Sequence, residues 1–249
     1  MDLIDLTKKV EVVLDLRKIS PTIKAQVCLA VDGSGSMSNL YANGIVQKTV
    51  DRISAIAVKF DDNEELDVMV FSDGVTKAKS ATTEMFGSYV KSELIDKRLV
   101  PFCGTNFAPF INQVMKDYFS KNDSVSDIAG GIMSALKDVL GFGKKEKPKA
   151  PEYAAKSNSG YPIFVICITD GQNSDIVAST CLLTAMQDKD IYWQFVGIGN
   201  ERFAYCEKLA RDLPNVGFFK IDNLETVKDM ELYKNLMSEE FALWINKFK

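Results

Sequence analysis

Two short segments carry the groups best suited to chemistry in this 249-residue chain. The first is Asp32-Gly33-Ser34-Gly35-Ser36, which sets a carboxylate and two hydroxyls at alternate positions. In an extended loop, alternate positions send three oxygens to one side. The glycines between them let the backbone turn tightly without Cβ clashes. The second is Thr169-Asp170-Gly171, which offers another carboxylate. Hard oxygen donors with few negative charges suit an octahedral ion such as Mg²⁺, with Mn²⁺ or Ca²⁺ as alternatives. Asp and Ser also cap helices that follow strands, and either segment alone would be read as a cap. Two Asp-Gly segments, one inside DxSxS, favour a metal site.

The rest of the composition narrows the chemistry. The chain has no histidine, which excludes Ser-His-Asp and Cys-His catalysis in their usual forms and His-liganded zinc or haem. The cysteines Cys28, Cys103, Cys167, Cys181 and Cys206 include no CxxC pair. Their odd number, and the apolar runs around Cys28 and Cys167, fit free, buried thiols in a reducing compartment. Thirty Lys and Arg stand against 34 Asp and Glu, a net charge of −4. A general nucleic-acid binder needs a basic face, so no nucleic-acid partner is expected. GxxxxGK[ST] is absent, which removes a phosphate-loop NTPase. The amino terminus has no apolar core of signal-peptide length, and no stretch approaches the ~18 apolar residues of a membrane span. A cytoplasmic location follows as an expectation.

Positioning the two Asp-Gly segments requires strands that end there. Apolar runs at 26–31 and 163–168 stop at Asp32 and at Thr169-Asp170 and read as strands buried on both faces. Further strands are expected at 66–71, 192–198 and 216–220. A short one at 75–79 would be joined to 66–71 by a tight turn and hence antiparallel at the sheet edge. Helical periodicity appears at 3–17, 43–60, 88–99, 107–119, 176–188 and 201–211, and helices fill 224–248. This alternation predicts an α/β fold: a doubly wound, Rossmann-like, mostly parallel six-stranded sheet with one antiparallel edge strand and helices on both faces. In the order 3-2-1-4-5-6, strands one and four are neighbours at the switch point where such sheets bind ligands. Asp32 and Asp170 should therefore face one crevice.

At these residues the chain resembles the von Willebrand factor A (vWA) domain. The metal-ion-dependent adhesion site of that family combines DxSxS after the first strand, a mid-domain Thr and an Asp after the fourth strand. Here these are Asp32, Ser34 and Ser36, then Thr105 in Gly104-Thr105-Asn106, then Asp170, spread over about 24–220. The runs AVDGSGSMSNLYANGIVQKTVDRISAIAVKFDDNEELDVMVFSDG, CGTNFAPFINQVMKDY and LYKNLMSEEFALWINKF are similar to the TerF-like vWA proteins of bacterial tellurium-resistance and stress operons. The resemblance implies that Ser34, Ser36 and Thr105 ligate the metal directly and that Asp32 and Asp170 act largely through water, Asp170 replacing Thr105 in a closed state. It also implies a protein partner whose Asp or Glu carboxylate completes the metal's shell, and a non-enzymatic role in a bacterial or phage stress system. Residues 1–249 are expected to form a single vWA-type domain with a core at 24–220.

The rival reading is a Mg²⁺-dependent phosphatase of haloacid-dehalogenase type. That chemistry needs Asp at the second alternate position, where this chain has Ser34. Asp73, in Ser72-Asp73-Gly74, reads as a hairpin-turn residue ahead of an acidic rim residue. Asn39, Tyr41 and Asn106 lie beside the ligand segments, either as exposed loop residues or as partner contacts. Residues 120–160 form an insertion longer than ordinary helix-to-strand connections. Its spacing predicts a helix at about 125–140 and a mobile loop at about 143–160, entering the sheet at its amino-terminal end, away from the metal. The apolar stripe of 125–142 with the lysines up to 149 could dock on a membrane, but packing on its own domain is favoured.

Overall fold

The computed structural model describes residues 2–120 and 153–249. Its six strands are β1 (Gln26–Asp32), β2 (Asp67–Phe71), β3 (Val75–Lys77), β4 (Ile163–Thr169), β5 (Ile191–Ile198) and β6 (Val216–Ile221). They lie in the order β3-β2-β1-β4-β5-β6, all parallel except β3 against β2. This is the expected order, with β1 beside β4. The strands read as unbroken apolar runs because β1, β4 and β5 are buried almost throughout, on both faces.

The helices are α1 (Leu3–Leu16), α2 (Ser38–Ala42), α3 (Ile45–Phe60), α4 (Ala108–Tyr118), α5 (Ile176–Ala185), α6 (Ala204–Asp212), α7 (Asp229–Leu236) and α8 (Glu239–Ile245). Alternation along β1 sorts them into two layers. Val27, Leu29 and Val31 face a core shared with α1, α3, α7 and α8. Cys28 and Ala30 face the second core, built with α4, α5 and α6. The second core holds a knot of aromatics in which Phe107 stacks on Phe195 at 5.5 Å and meets Phe71 edge-on at 5.6 Å.

Three sequence expectations need correction. The span 88–99 is not an α-helix but a π-helical turn, Val90–Ile95. The side-chain oxygen of Gln47 takes the Val90 N–H, and Gly87 enters the turn at a φ of 76°. The helix expected at 43–60 is a single helix that starts two residues later, at Ile45: Gly44, with a φ of 71°, precedes it and separates it from α2, a short helix at 38–42 that periodicity did not mark. Part of the loop expected at 143–160 is packed: Tyr153 is buried, Ala154 donates to the Ser120 carbonyl, and Asn158 donates to that of Tyr118. Ser159 reaches Gln26 at the start of β1, so this end of the insertion does lie at the amino-terminal edge of the sheet. The helix expected at 125–140 and the rest of that loop lie outside the described residues. No helix among the described residues is long and apolar enough to cross a membrane.

The turn after α3 makes one prediction. The buried Asp61 carboxylate accepts the N–H groups of Val27 and Asn63. Burial, the leading cause, pushes its carboxyl up to about 6. The folded state then holds this proton more tightly than the unfolded chain. Its stabilising effect is complete below about pH 4 and is lost as pH rises through about 6, at most about 3 kcal/mol. Urea midpoints of Asp61→Asn should lack this component, so wild-type stability falls relative to the variant's between pH 4 and pH 7. A difference that does not change with pH would contradict the assignment.

Candidate metal centre

Register puts the two Asp-Gly segments together. β1 and β4 run in step from Gln26 beside Ile163 to Val31 beside Ile168, which sets Asp32 next to Thr169. Asp32 is fully buried, and its carboxylate accepts the Ser34 N–H at 2.8 Å and the Thr169 hydroxyl at 2.5 Å. The Ser34 and Ser36 hydroxyls lie 3.1 Å apart, and Ser36 donates to Asp170 at 2.7 Å. The site thus opens outward from buried Asp32 and Ser34 to half-buried Asp170 and exposed Ser36.

Gly33 sits where the loop passes the end of β2. Its N–H bonds the Phe71 carbonyl at 2.7 Å, and a Cβ here would lie 2.7 Å from Val70. The requirement is close approach rather than the tight turn the sequence suggested, and Gly35 has only ordinary contact at that point.

Thr105 arrives on a separate loop. The Cys103 carbonyl accepts the Gly35 N–H, tying that loop to DxSxS. The Thr105 carbonyl accepts the Ser174 N–H, tying it to the segment after Asp170, and Asn106 N–H bonds the Ser72 carbonyl. Asp73 lies in the β2–β3 turn with its carboxylate against Gly104, where a Cβ would come within 2.3 Å. Asp73 is thus a turn residue and also a neighbour of the Thr105 loop. Among the described residues no hydrogen bond joins the Thr105 hydroxyl to the other four candidates. The structure links Asp32, Ser34, Ser36 and Asp170 by side-chain hydrogen bonds or through one shared loop, and brings Thr105 in by its backbone.

The electrostatics and the donor set both fit a hard divalent cation. Burial pushes the Asp32 carboxyl up to about 6, although hydrogen bonds from Thr169 and Ser34 pull it down; the negative Asp170 adds to the rise. A buried, anionic oxygen cluster of this kind is relieved by a positive charge. Among the described residues no group of three or more His, Cys, Asp or Glu could hold a metal. A cation here therefore depends on the hydroxyls of Ser34, Ser36 and Thr105 beside the two carboxylates.

Several supports were not legible from motifs. Asp175 accepts the N–H groups of Phe107 and Ala108 at 2.9 and 2.7 Å, fastening the start of α4 just beyond Thr105. Thr169 both holds Asp32 and accepts the Gly171 N–H. Tyr41 is buried, not an exposed loop residue, and its hydroxyl donates to the Asp32 carbonyl at 3.1 Å. Cys28, Cys167 and Cys206 are buried free thiols as expected, but Cys103 on the Thr105 loop is exposed.

A family model described as vWA-TerF-like, the vWA found in the TerF C terminus, matches residues 24–129 and 141–249. The uncharacterized protein YcbR of Bacillus subtilis (strain 168) is 33% identical over 254 residues, covering 100% of this chain and 89% of its own. Among solved structures, the chain is similar to proximal thread matrix protein 1 (PTMP1) from the mussel byssus with a zinc-occupied MIDAS motif. The identity is 16% and the TM-score 0.54, covering 88% of this chain and 48% of that one. It is also similar to the manganese-loaded TRAP protein of Plasmodium vivax, with 14% identity and a TM-score of 0.51, covering 88% and 73%. At these identities the likeness to solved structures is one of fold, and this chain spans about half the length of the PTMP1 chain.

Proposed function

The chain belongs to the vWA-TerF-like family, and from that premise we propose that it is a protein-interaction module that meets its partner through a divalent cation. Asp32, Ser34, Ser36, Thr105 and Asp170 would hold the ion, with Mg²⁺ the expected metal. The observation that carries this reading is the run of hydrogen bonds from buried Asp32 through the Ser34 N–H and the Ser34 and Ser36 hydroxyls to half-buried Asp170, at the adjacent carboxyl ends of β1 and β4. When bound, the cation supplies positive character for an outside oxygen ligand, since three of its five protein groups are neutral hydroxyls. Asp32 holds negative charge at the base, Asp170 orients the Ser36 hydroxyl, and Asp175 and Phe107 keep the Thr105 loop in place. The partner contributes an Asp or Glu carboxylate.

We take residues 1–249 as one unit of this kind, working without substrate turnover. The family description supports a role beside tellurium-resistance or stress proteins, and the free thiols support a reducing, cytoplasmic setting. Immobilised chain should capture its partner in Mg²⁺ and lose it in excess chelator. Thr105→Ala should lose it too, with a melting temperature within about 2 °C of wild type. Capture undiminished by chelator would place the contact on another surface. Mg²⁺-dependent hydrolysis of p-nitrophenyl phosphate, abolished by Asp32→Asn, would favour the phosphatase reading instead.

A further inference from the structure

Nine large apolar side chains are exposed among the described residues, and three of them flank the Thr105 loop. Phe102 is 41% exposed, Ile176 46% and Val177 61%. Phe102 stands three residues before Thr105, within about 11 Å along an extended chain. Ile176 and Val177 stand two and three residues after Ser174, whose N–H is bonded to the Thr105 carbonyl. Scattered single apolar residues need no explanation on a protein surface. Two features set this group apart.

The first is backbone strain. Phe102 adopts a φ of 52°, a left-handed conformation that costs an L-residue. Strain of this kind clusters at functional sites, and the ring it carries stays 41% exposed. The second is bracing. Phe102 meets Tyr41 edge-on at 5.7 Å, and the Tyr41 hydroxyl is bonded to the Asp32 carbonyl. The ring is thus propped on the segment that holds the candidate metal ligands. On the other flank, Ile176 and Val177 begin α5 directly after Asp175, which is bonded to the start of α4.

We propose that Phe102, Ile176 and Val177 form an apolar collar around the metal centre, and that it selects a partner segment in which an acidic residue is flanked by bulky aliphatic ones. This rests on the metal-dependent reading above and adds the chemistry on either side of the carboxylate. A lone carboxylate on a cation offers little discrimination, because every exposed Asp or Glu can supply it. Burying neighbouring aliphatic side chains against the collar supplies both affinity and choice. Continuity with the oxygen cluster favours this occupant over a wholly apolar one.

The test uses Mn²⁺-loaded full chain and three peptides: acetyl-Leu-Glu-Leu-amide, acetyl-Ser-Glu-Ser-amide and acetyl-Leu-Gln-Leu-amide. The Leu-Glu-Leu peptide is expected to bind about tenfold more tightly than Ser-Glu-Ser, and Leu-Gln-Leu to bind more weakly than Leu-Glu-Leu by at least that factor. The double variant Phe102→Ser, Val177→Ser should bring the first ratio close to one. Val177→Ser alone, on the exposed side of α5, should reduce it partway. Mn²⁺ affinity should stay within about twofold in Val177→Ser, and both peptide ratios are read at saturating Mn²⁺. Equal binding of the two Glu peptides, a preference that survives the double variant, or a Gln peptide as good as the Glu one would each overturn the collar. No binding of any peptide to a chain that does hold Mn²⁺ would overturn it too. Failure of wild type to bind Mn²⁺ would instead refute the metal reading beneath it.

Discussion

Asp32→Ala will weaken divalent-cation binding by about ten- to a hundredfold while leaving the chain folded. Asp32 is the fully buried carboxylate at the base of the site, and it also orients the Ser34 N–H and the Thr169 hydroxyl. Removing it takes away the anchoring charge and loosens both neighbours. The cost to stability is smaller, because burial already disfavours this carboxylate; its carboxyl is pushed up to about 6. Losing two hydrogen bonds is offset in part by no longer burying a charge. Calorimetric Mg²⁺ and Mn²⁺ titrations, run beside thermal melts, separate the two effects. Wild type stripped with chelator should likewise stay folded, since both cores are built from apolar side chains. Wild-type affinity in Asp32→Ala would remove this carboxylate from the site.

The second large effect is on stability and reaches the site through packing. Phe107 is fully buried, two residues beyond Thr105, and packs on Phe71, Phe110 and Phe195. Phe107→Ala should cost about 3–5 kcal/mol, a large share of the stability of most domains. It should also weaken metal binding about tenfold, because the anchor of the Thr105 loop is lost. Phe110→Ala is the control. That ring belongs to the same aromatic cluster but sits a turn further along α4. It should lose comparable stability, read as the urea midpoint, and retain metal affinity. Equal loss of metal affinity in both variants would show a general loosening instead of a specific anchor.

Much of this architecture could be read from the chain because β1 and β4 are buried on both faces. Such strands must be apolar runs, and each run here stops at an Asp-Gly or Thr-Asp-Gly. Their adjacency then follows from the sheet order. The supports of the site were less legible for a physical reason. Asp175 fastens a helix that begins 67 residues earlier in the chain, and no local pattern marks such a bond. Tyr41 looks like a loop residue because it lies between the DxSxS segment and Asn43-Gly44, yet its ring is buried and its hydroxyl serves Asp32. Phe107 reads as one more apolar residue on a helix face, although its place beside Thr105 makes it a lever on the site. The π-helical turn at Val90–Ile95 depends on a side-chain oxygen from Gln47 in another helix. Tyr153 stands in a polar, proline-containing stretch without periodicity, so its burial shows only once the chain is folded.

The most direct test is to titrate Mn²⁺ into chelator-stripped wild-type chain and count bound metal by electron paramagnetic resonance, then add Mg²⁺. One Mn²⁺ should bind per chain, be displaced by excess Mg²⁺, and be held about ten- to a hundredfold more weakly by Asp32→Ala. Absence of saturable binding, or one bound Mn²⁺ that persists unchanged in Asp32→Ala, would contradict a cation held where β1 and β4 end.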